Sequence, residues 1–194
     1  MRPLPDLHGP RLHVRLGTKA DAAAVVRFYR DNDDFISRTQ NRAPPDHLDE
    51  LLVIDGLAHR HDEFLRDRSC RMFAFDPASG EVVAAVNLSN FVRGYFQACY
   101  LGYAVAEKHQ GQGLMSEAVS LALSFAFGPL ELHRVMANHT PDNLRSGRLL
   151  LRLGFRVEGH APRYLRIHGQ WRDHVLTALN AEEHALRISS APRA

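Results

Sequence analysis

The residues with the clearest chemical potential are Gln110-Gly111-Gln112-Gly113, which interrupt an aromatic and β-branched run, Tyr100 to Val105, just before the apolar-periodic residues Leu114, Ala118, Val119, Ala122 and Phe125. The first turn of a helix leaves N–H groups without intrahelical partners, and the macrodipole adds positive potential there. A glycine turn at that corner suits an anion. Gly111 and Gly113 lack a Cβ, so a diphosphate can approach the amides closely, although the same two glycines also suit a plain turn. Two nucleotide motifs are excluded: no Gly-Lys-Ser/Thr follows as in a Walker A loop, and the third spaced glycine of a dinucleotide fingerprint is missing.

The elements that must hold this corner follow from periodicity and breakers. Residues 11–16 alternate as a half-buried strand, and Thr18 with Asp21 predicts a capped helix whose alanine-valine face runs through Phe28. The Asp31-Asn32-Asp33-Asp34 cluster is expected to break that helix as a solvated turn. Pro44-Pro45 and a capping Asp46 predict a second helix through Arg66, with Leu48, Leu51, Leu52, Leu57 and Leu65 at helical spacing. Cys70 to Phe75 and Glu81 to Phe91 read as a hairpin leading into Gln97 to Val105. After the helix ending at Gly128-Pro129, Leu132 to Ala137 forms a strand and Asn143 opens a helix that stops at Gly154. Phe155 to Val157 and Tyr164 to Ile167 flank a loop holding Pro162, and His168-Gly169 turns into Trp171 to Leu179. The expected architecture is one α+β domain over residues 11–180, with a loosely held arm at 1–10 and a tail at 181–194.

Composition narrows the function classes. The 194 residues carry 24 basic and 22 acidic side chains, a net charge of +2 that is too small to argue for general nucleic-acid binding. No apolar run is long enough for a membrane span, and MRPLPDLHGP lacks a signal-peptide core, so a cytoplasmic location is expected. Cys70 and Cys99 lie in apolar strands and read as buried thiols rather than a disulfide. His47, His59 and His61 lack the spacing of metal ligands, and no metal is expected.

Gln110-Gly111-Gln112-Gly113-Leu114-Met115 resembles the acetyl-CoA pyrophosphate motif Q/R-x-x-G-x-G/A of the GCN5-related N-acetyltransferase (GNAT) family, with Met115 standing where the pattern has glycine or alanine. Asn143 with Ser146, and the ending Leu153-Gly154-Phe155, are similar to the family's later helix. Tyr164, the run Gly169 to His174, Leu176, Asn87-Leu88-Ser89-Asn90 and Arg93-Gly94 resemble its ribosomal-protein N-terminal acetyltransferases of the RimJ and RimL type, and the alanine-acetylating RimJ type most. The resemblance implies a mostly antiparallel mixed sheet, flanked by helices, whose strands splay near Val105 and Ala137. Acetyl-CoA is the implied cosubstrate. Backbone groups of Tyr103, Ala104 and Val105 would pair with its pantetheine, and the amides of Gln110, Gly111, Gln112, Gly113, Leu114 and Met115 would hold its pyrophosphate. Asn143 would contact the pantetheine, Asn138 would orient the thioester or the amine, and Ser146 would protonate the leaving thiolate.

Each residue also has an ordinary structural reading: Tyr103 as a core aromatic, Ser146 as a helix serine bonded to its own backbone, Asn143 as a first-turn residue and Asn138 as a loop asparagine. Acetyl transfer needs a neutral amine, oxyanion stabilisation and a proton donor. A protein α-amino group, with a reference pKa of about 7.7 to 8.0, is already partly neutral near pH 7, so a weak or water-relayed base suffices. His139 and Glu158 are candidates for that relay. Arg145 or Arg148 would reach a cofactor phosphate. By the resemblance, Tyr164 and the Trp171-Arg172-Asp173 hairpin would line the peptide-entry side, whereas Trp171 would join the core if its ring lies on the inner face.

The expected function is direct transfer from acetyl-CoA to the N-terminal amine of a protein, a ribosomal one by the resemblance, with the oligomeric state open and a homodimer among the options. Two alternatives remain. An enzyme of the same fold would acetylate a polyamine, amino acid or antibiotic, marked by a narrow acidic pocket. A non-catalytic acyl-CoA-binding or ribosome-assembly factor would bind the cofactor without turnover.

Overall fold

The computed structural model describes residues 3–42 and 48–190. Strands β1 (Asp6–His8), β2 (His13–Leu16), β3 (Cys70–Phe75), β4 (Val82–Val92) and β5 (Ala98–Val105) form an antiparallel series; β6 (Arg134–His139) then pairs parallel with β5. The hairpin of β7 (Arg156–Ile167) and β8 (Gln170–Asn180) completes the sheet in the order β1-β2-β3-β4-β5-β6-β8-β7. Among the described residues five α-helices accompany it: α1 (Ala22–Ile36), α2 (Glu50–Leu65), α3 (Leu114–Phe127), α4 (Leu144–Leu153) and α5 (Ala181–Ser190).

The alternation of each strand divides the apolar residues between two cores. Met72, Val86, Leu88, Cys99, Leu101 and Val135 meet Ala118, Val119 and Ala122 of α3 and Leu150 of α4. Phe73, Phe75, Val82 and Ala85 meet Val25 and Phe28 of α1 and Leu57 of α2 on the opposite face. The α3 sequence is apolar nearly all round, as a central helix must be. The α4 helix ends in a Schellman motif: Gly154 takes φ 95° and its N–H reaches the Leu151 carbonyl, while the Phe155 N–H reaches Leu150. Leu-Gly-Phe is therefore a stop signal written in backbone hydrogen bonds.

Several expectations are corrected. The acid cluster does not break α1, which continues through Asp31 to Asp34. Buried Asn32 donates to the Phe28 carbonyl at 2.8 Å and accepts from the Glu107 N–H at 2.7 Å, and Arg42 pairs with Asp33 and Asp34. Asn32 thus has buried partners in place of solvent, while Asp31 and Asp34 stay exposed on the helix surface. Pro44, Pro45 and Asp46 lie outside the described residues; the cap of α2 is Asp49, which accepts from Leu51 N and Leu52 N. Leu51, Leu52 and Leu65 face solvent, whereas Leu57 and Phe64 are buried. Residues 156–167 form one bulged strand rather than two flanks of a loop, and Asp6 to His8 of the expected arm are paired to β2.

Candidate active site

β5 and β6 are hydrogen-bonded over only three residue pairs, Ala98 with Arg134, Cys99 with Val135 and Tyr100 with Met136. Beyond them, Leu101 to Val105 stay with β4 and Ala137 to His139 stay with β8. The sheet therefore opens into a V-shaped slot with backbone groups along both inner edges. A register shift in β4 between Ser89 and Val92 lies opposite Ala98 to Tyr100, the rungs just before the opening.

The chain leaves β5 through a 3-10 turn, Glu107–His109, whose first N–H is held by Asn32 of α1, and enters Gln110 to Gly113. Gly111 and Gly113 have φ of 72° and 78°, a left-handed conformation that side-chain-bearing residues rarely take. No side chain caps α3 at Gly113, so its first-turn amides are left for a ligand. A Cβ on Gly111 would meet nothing within 4 Å, and one on Gly113 would meet only Arg11 Nη2 at 3.5 Å. The space beside the turn is open. Arg11 donates to the Gln112 carbonyl at 2.8 Å and pairs with Glu117 at 2.8 Å, while Arg145 donates to the Gln110 side-chain oxygen. Two guanidinium groups flank an amide-rich turn, an arrangement that fits a diphosphate.

On the face carrying α3 and α4, Tyr103 of β5 and Ser146 of α4 bring their hydroxyls to 2.7 Å. Burial pushes the Tyr103 phenol up to about 12, so it keeps its proton at neutral pH. Asn143 caps α4, its side-chain oxygen accepting from Ser146 N at 3.1 Å, which leaves its NH2 for other partners. A protonated hydroxyl pair thus stands beside a slot whose neighbouring helix N-terminus suits a diphosphate.

The acetyltransferase (GNAT) domain family matches residues 11–156. This chain belongs to the GNAT acetyltransferase family. It is 43% identical over 179 residues, 89% of each chain, to the [ribosomal protein uS5]-alanine N-acetyltransferase of Escherichia coli (strain K12). Its fold superposes with a TM-score of 0.87 on the ribosomal-protein-S5-alanine acetyltransferase of Vibrio fischeri, at 26% identity covering 91% of this chain and 97% of that one. The TM-score is also 0.87 against Mycobacterium smegmatis RimJ in complex with CoA-disulfide, at 28% identity covering 100% and 98%.

The GNAT sheet separates the sequence-derived candidates by face. Asn138 lies on the face opposite Tyr103 and Ser146, where it donates to the Tyr164 hydroxyl at 3.3 Å, and the Tyr164 phenol pushes the Tyr100 pKa up. Ser146 and Asn138 therefore flank the GNAT slot from two sides. His139 packs against Gly147, and its Nδ1 is 2.9 Å from the Thr140 carbonyl, an acceptor that places the proton of a neutral ring on that nitrogen. Glu158 is engaged by Arg134, which weakens its reading as a base. Arg148 turns back on the Leu144 carbonyl, leaving Arg145 as the arginine at the turn. Trp171 is 60% exposed on the β7–β8 hairpin, so its ring does not lie on an inner face and the core reading does not apply.

Sequence reading missed three features around the GNAT site. Arg11 comes from the β1–β2 turn, about a hundred residues before the glycines it braces, and Asn32 was hidden in an acid run. The third is a strap across the Tyr164 face: Asn41 donates to the Arg166 carbonyl at 2.9 Å and accepts from His168 N at 2.8 Å, His168 Nε2 lies 2.5 Å from the Ser37 carbonyl, and Gln40 donates to the Tyr103 carbonyl at 3.3 Å. Asn41 and His168 lie 127 residues apart, so nothing local hinted at that contact.

Proposed function

We propose that this enzyme transfers the acetyl group of acetyl-CoA to the N-terminal α-amino group of a protein, a ribosomal protein beginning with alanine, by direct attack in a ternary complex. Acetyl-CoA supplies an activated thioester. The amides from Gln110 to Met115, flanked by Arg11 and Arg145, hold its diphosphate, and the inner edge at Tyr103, Ala104 and Val105, which β6 does not pair, meets its pantetheine amides once Gln40 yields or shares the Tyr103 carbonyl. Asn143 contributes its NH2 from the cap of α4. Ser146, hydrogen-bonded to a Tyr103 phenol that stays protonated, delivers the proton to the departing sulfur.

The amine approaches from the opposite face, where Asn138, Tyr100 and Tyr164 offer uncharged polar partners. The observation that carries the reading is the three-rung seam between β5 and β6, which opens one slot to both faces and lets the reactants meet edge to edge. Among the described residues, Glu158 and Asp142 near that face already carry Arg134 and Arg172, which weakens the case for a polyamine acceptor. The 43% identity to an enzyme named for alanine acetylation of protein uS5 supports the acceptor class.

Thiol release from acetyl-CoA, measured with peptides beginning Ala, Ser or Met beside spermidine, free amino acids and an aminoglycoside, tests the proposal. Turnover with alanine-starting peptides is expected. Turnover confined to small amines would replace the acceptor, and tight cofactor binding with no turnover would replace the activity.

A further inference from the structure

The β1–β2 hairpin gathers three metal-ligand side chains that transfer chemistry does not use. Asp6 and His8 are two residues apart on β1 and share a face; His13 of β2 is in direct register with His8. The imidazoles stack at a centroid distance of 4.2 Å and an interplanar angle of 13°. Both aim Nε2 at one carboxylate oxygen, Asp6 Oδ1, His13 at 2.5 Å and His8 at 3.3 Å. The three ligand atoms all lie within 4.8 Å of one another, the one such group among the described residues.

We propose that Asp6, His8 and His13 bind one divalent transition-metal ion of the zinc class. Zinc takes imidazole nitrogen and carboxylate oxygen at about 2.0–2.2 Å, which puts neighbouring ligand atoms roughly 3.3–3.5 Å apart. His8 and Asp6 already have that separation, and His13 needs to withdraw by about an ångström. A single carboxylate oxygen poorly satisfies two stacked rings, whereas an ion between them satisfies all three groups. Arg15, opposite Asp6 in the register, does not compete, because its guanidinium makes a two-point pair with Asp21. Two imidazoles and one carboxylate select zinc, copper or nickel over magnesium or calcium, and three protein ligands leave a position for water.

The site has a structural consequence. Between His8 and His13 lies the turn closed by the Gly9 N–H to Leu12 carbonyl bond, and its Arg11 reaches the Gln112 carbonyl of the glycine turn. The ion therefore clamps both strands of the hairpin that braces that turn. Histidines five residues apart carry no helical or Cys-containing signature, so only the hairpin register brings them together.

The test is calorimetric titration of Zn2+ into the full chain, purified without a histidine tag and stripped with chelator, with Co2+ absorption as a spectroscopic probe. One Zn2+ per chain is expected, with a raised melting temperature that Mg2+ does not reproduce. His8→Asn and Asp6→Asn, both at exposed positions, should each weaken Zn2+ at least about tenfold, since removing a supporting group alone costs that much. Circular dichroism confirms that the variants fold. Absence of binding, or unchanged binding in both folded variants, overturns the proposal.

Discussion

Tyr103 of β5 and Ser146 of α4 place their hydroxyl oxygens 2.7 Å apart, joining a strand edge of the slot to the helix that closes it. If the pair delivers a proton, Ser146→Ala lowers kcat by about 10²-fold or more while the Kd for acetyl-CoA stays near its original value. Tyr103→Phe should do nearly the same, and the double variant little more, because the two act as a unit. Steady-state kinetics with an alanine-starting peptide decides; equal loss of kcat and cofactor affinity would assign the pair to binding.

Gly113 sits at φ 78° where the first helical amides emerge. A β-branched residue there is strained and crowds the diphosphate. Gly113→Val is expected to raise the acetyl-CoA Kd about tenfold, equivalent to ~1.4 kcal/mol. Gly169, also at positive φ but on the β7–β8 turn, is the control: Gly169→Val should leave the Kd unchanged.

Asn32 joins α1 to the start of the 3-10 turn. Asn32→Ala leaves the Glu107 N–H and the Phe28 carbonyl without that side chain and should cost about 1–3 kcal/mol. Thermal melting of a chain this size would register about 2–4 °C for each kcal/mol. Because the turn leads directly to the glycines, cofactor affinity should fall as well.

Gly147 faces His139 so closely that a Cβ would lie 3.0 Å from the ring's Cε1. Gly147→Ala therefore displaces the ring from the Thr140 carbonyl and costs about 1–3 kcal/mol by overpacking. Adding His139→Ala to Gly147→Ala should recover part of that loss in denaturant titrations. No recovery would show that the helix backbone, rather than the ring, resists the methyl group.

Burial alone would raise the Asp21 carboxyl, but bonds from Arg15 and Thr18 outweigh it and hold the group at about 2, against 3.8 unperturbed. A lowered folded value stabilises the native state above the unperturbed pKa, and that contribution disappears as pH falls through the folded one. Asp21→Asn should cost about 1 kcal/mol at neutral pH, allowing for partial solvent screening. The gap to the parent should close between about pH 4 and pH 2 in pH-dependent melting curves.

What could be read from the chain was mostly local. The glycine turn into α3, the Leu-Gly-Phe stop of α4, the β3–β4 hairpin and the pairing of Thr18 with Asp21 depend on residues within a few positions of each other, where backbone chemistry is decisive. The resemblance extended this to the slot and to Ser146. Distant partners were silent: Arg11 bracing Gln112, Asn32 holding Glu107 and the strap from Ser37 to Asn41 rest on contacts between far-apart segments. Ser146 by its motif and Asn138 by its place at the strand end were expected at one site, and only the register of β5 on β6 shows that they lie on opposite faces of the sheet.

The three-rung seam also has a consequence for solubility. Beyond Tyr100 and Met136 the middle of the sheet holds two strand edges that do not pair with each other, covered in part by Gln40 of the strap, and such edges recruit strands from other chains. Whatever occupies the slot serves as the missing strand. The filled enzyme should therefore resist self-association better than the empty one, with its cosubstrate acting as a guard against aggregation.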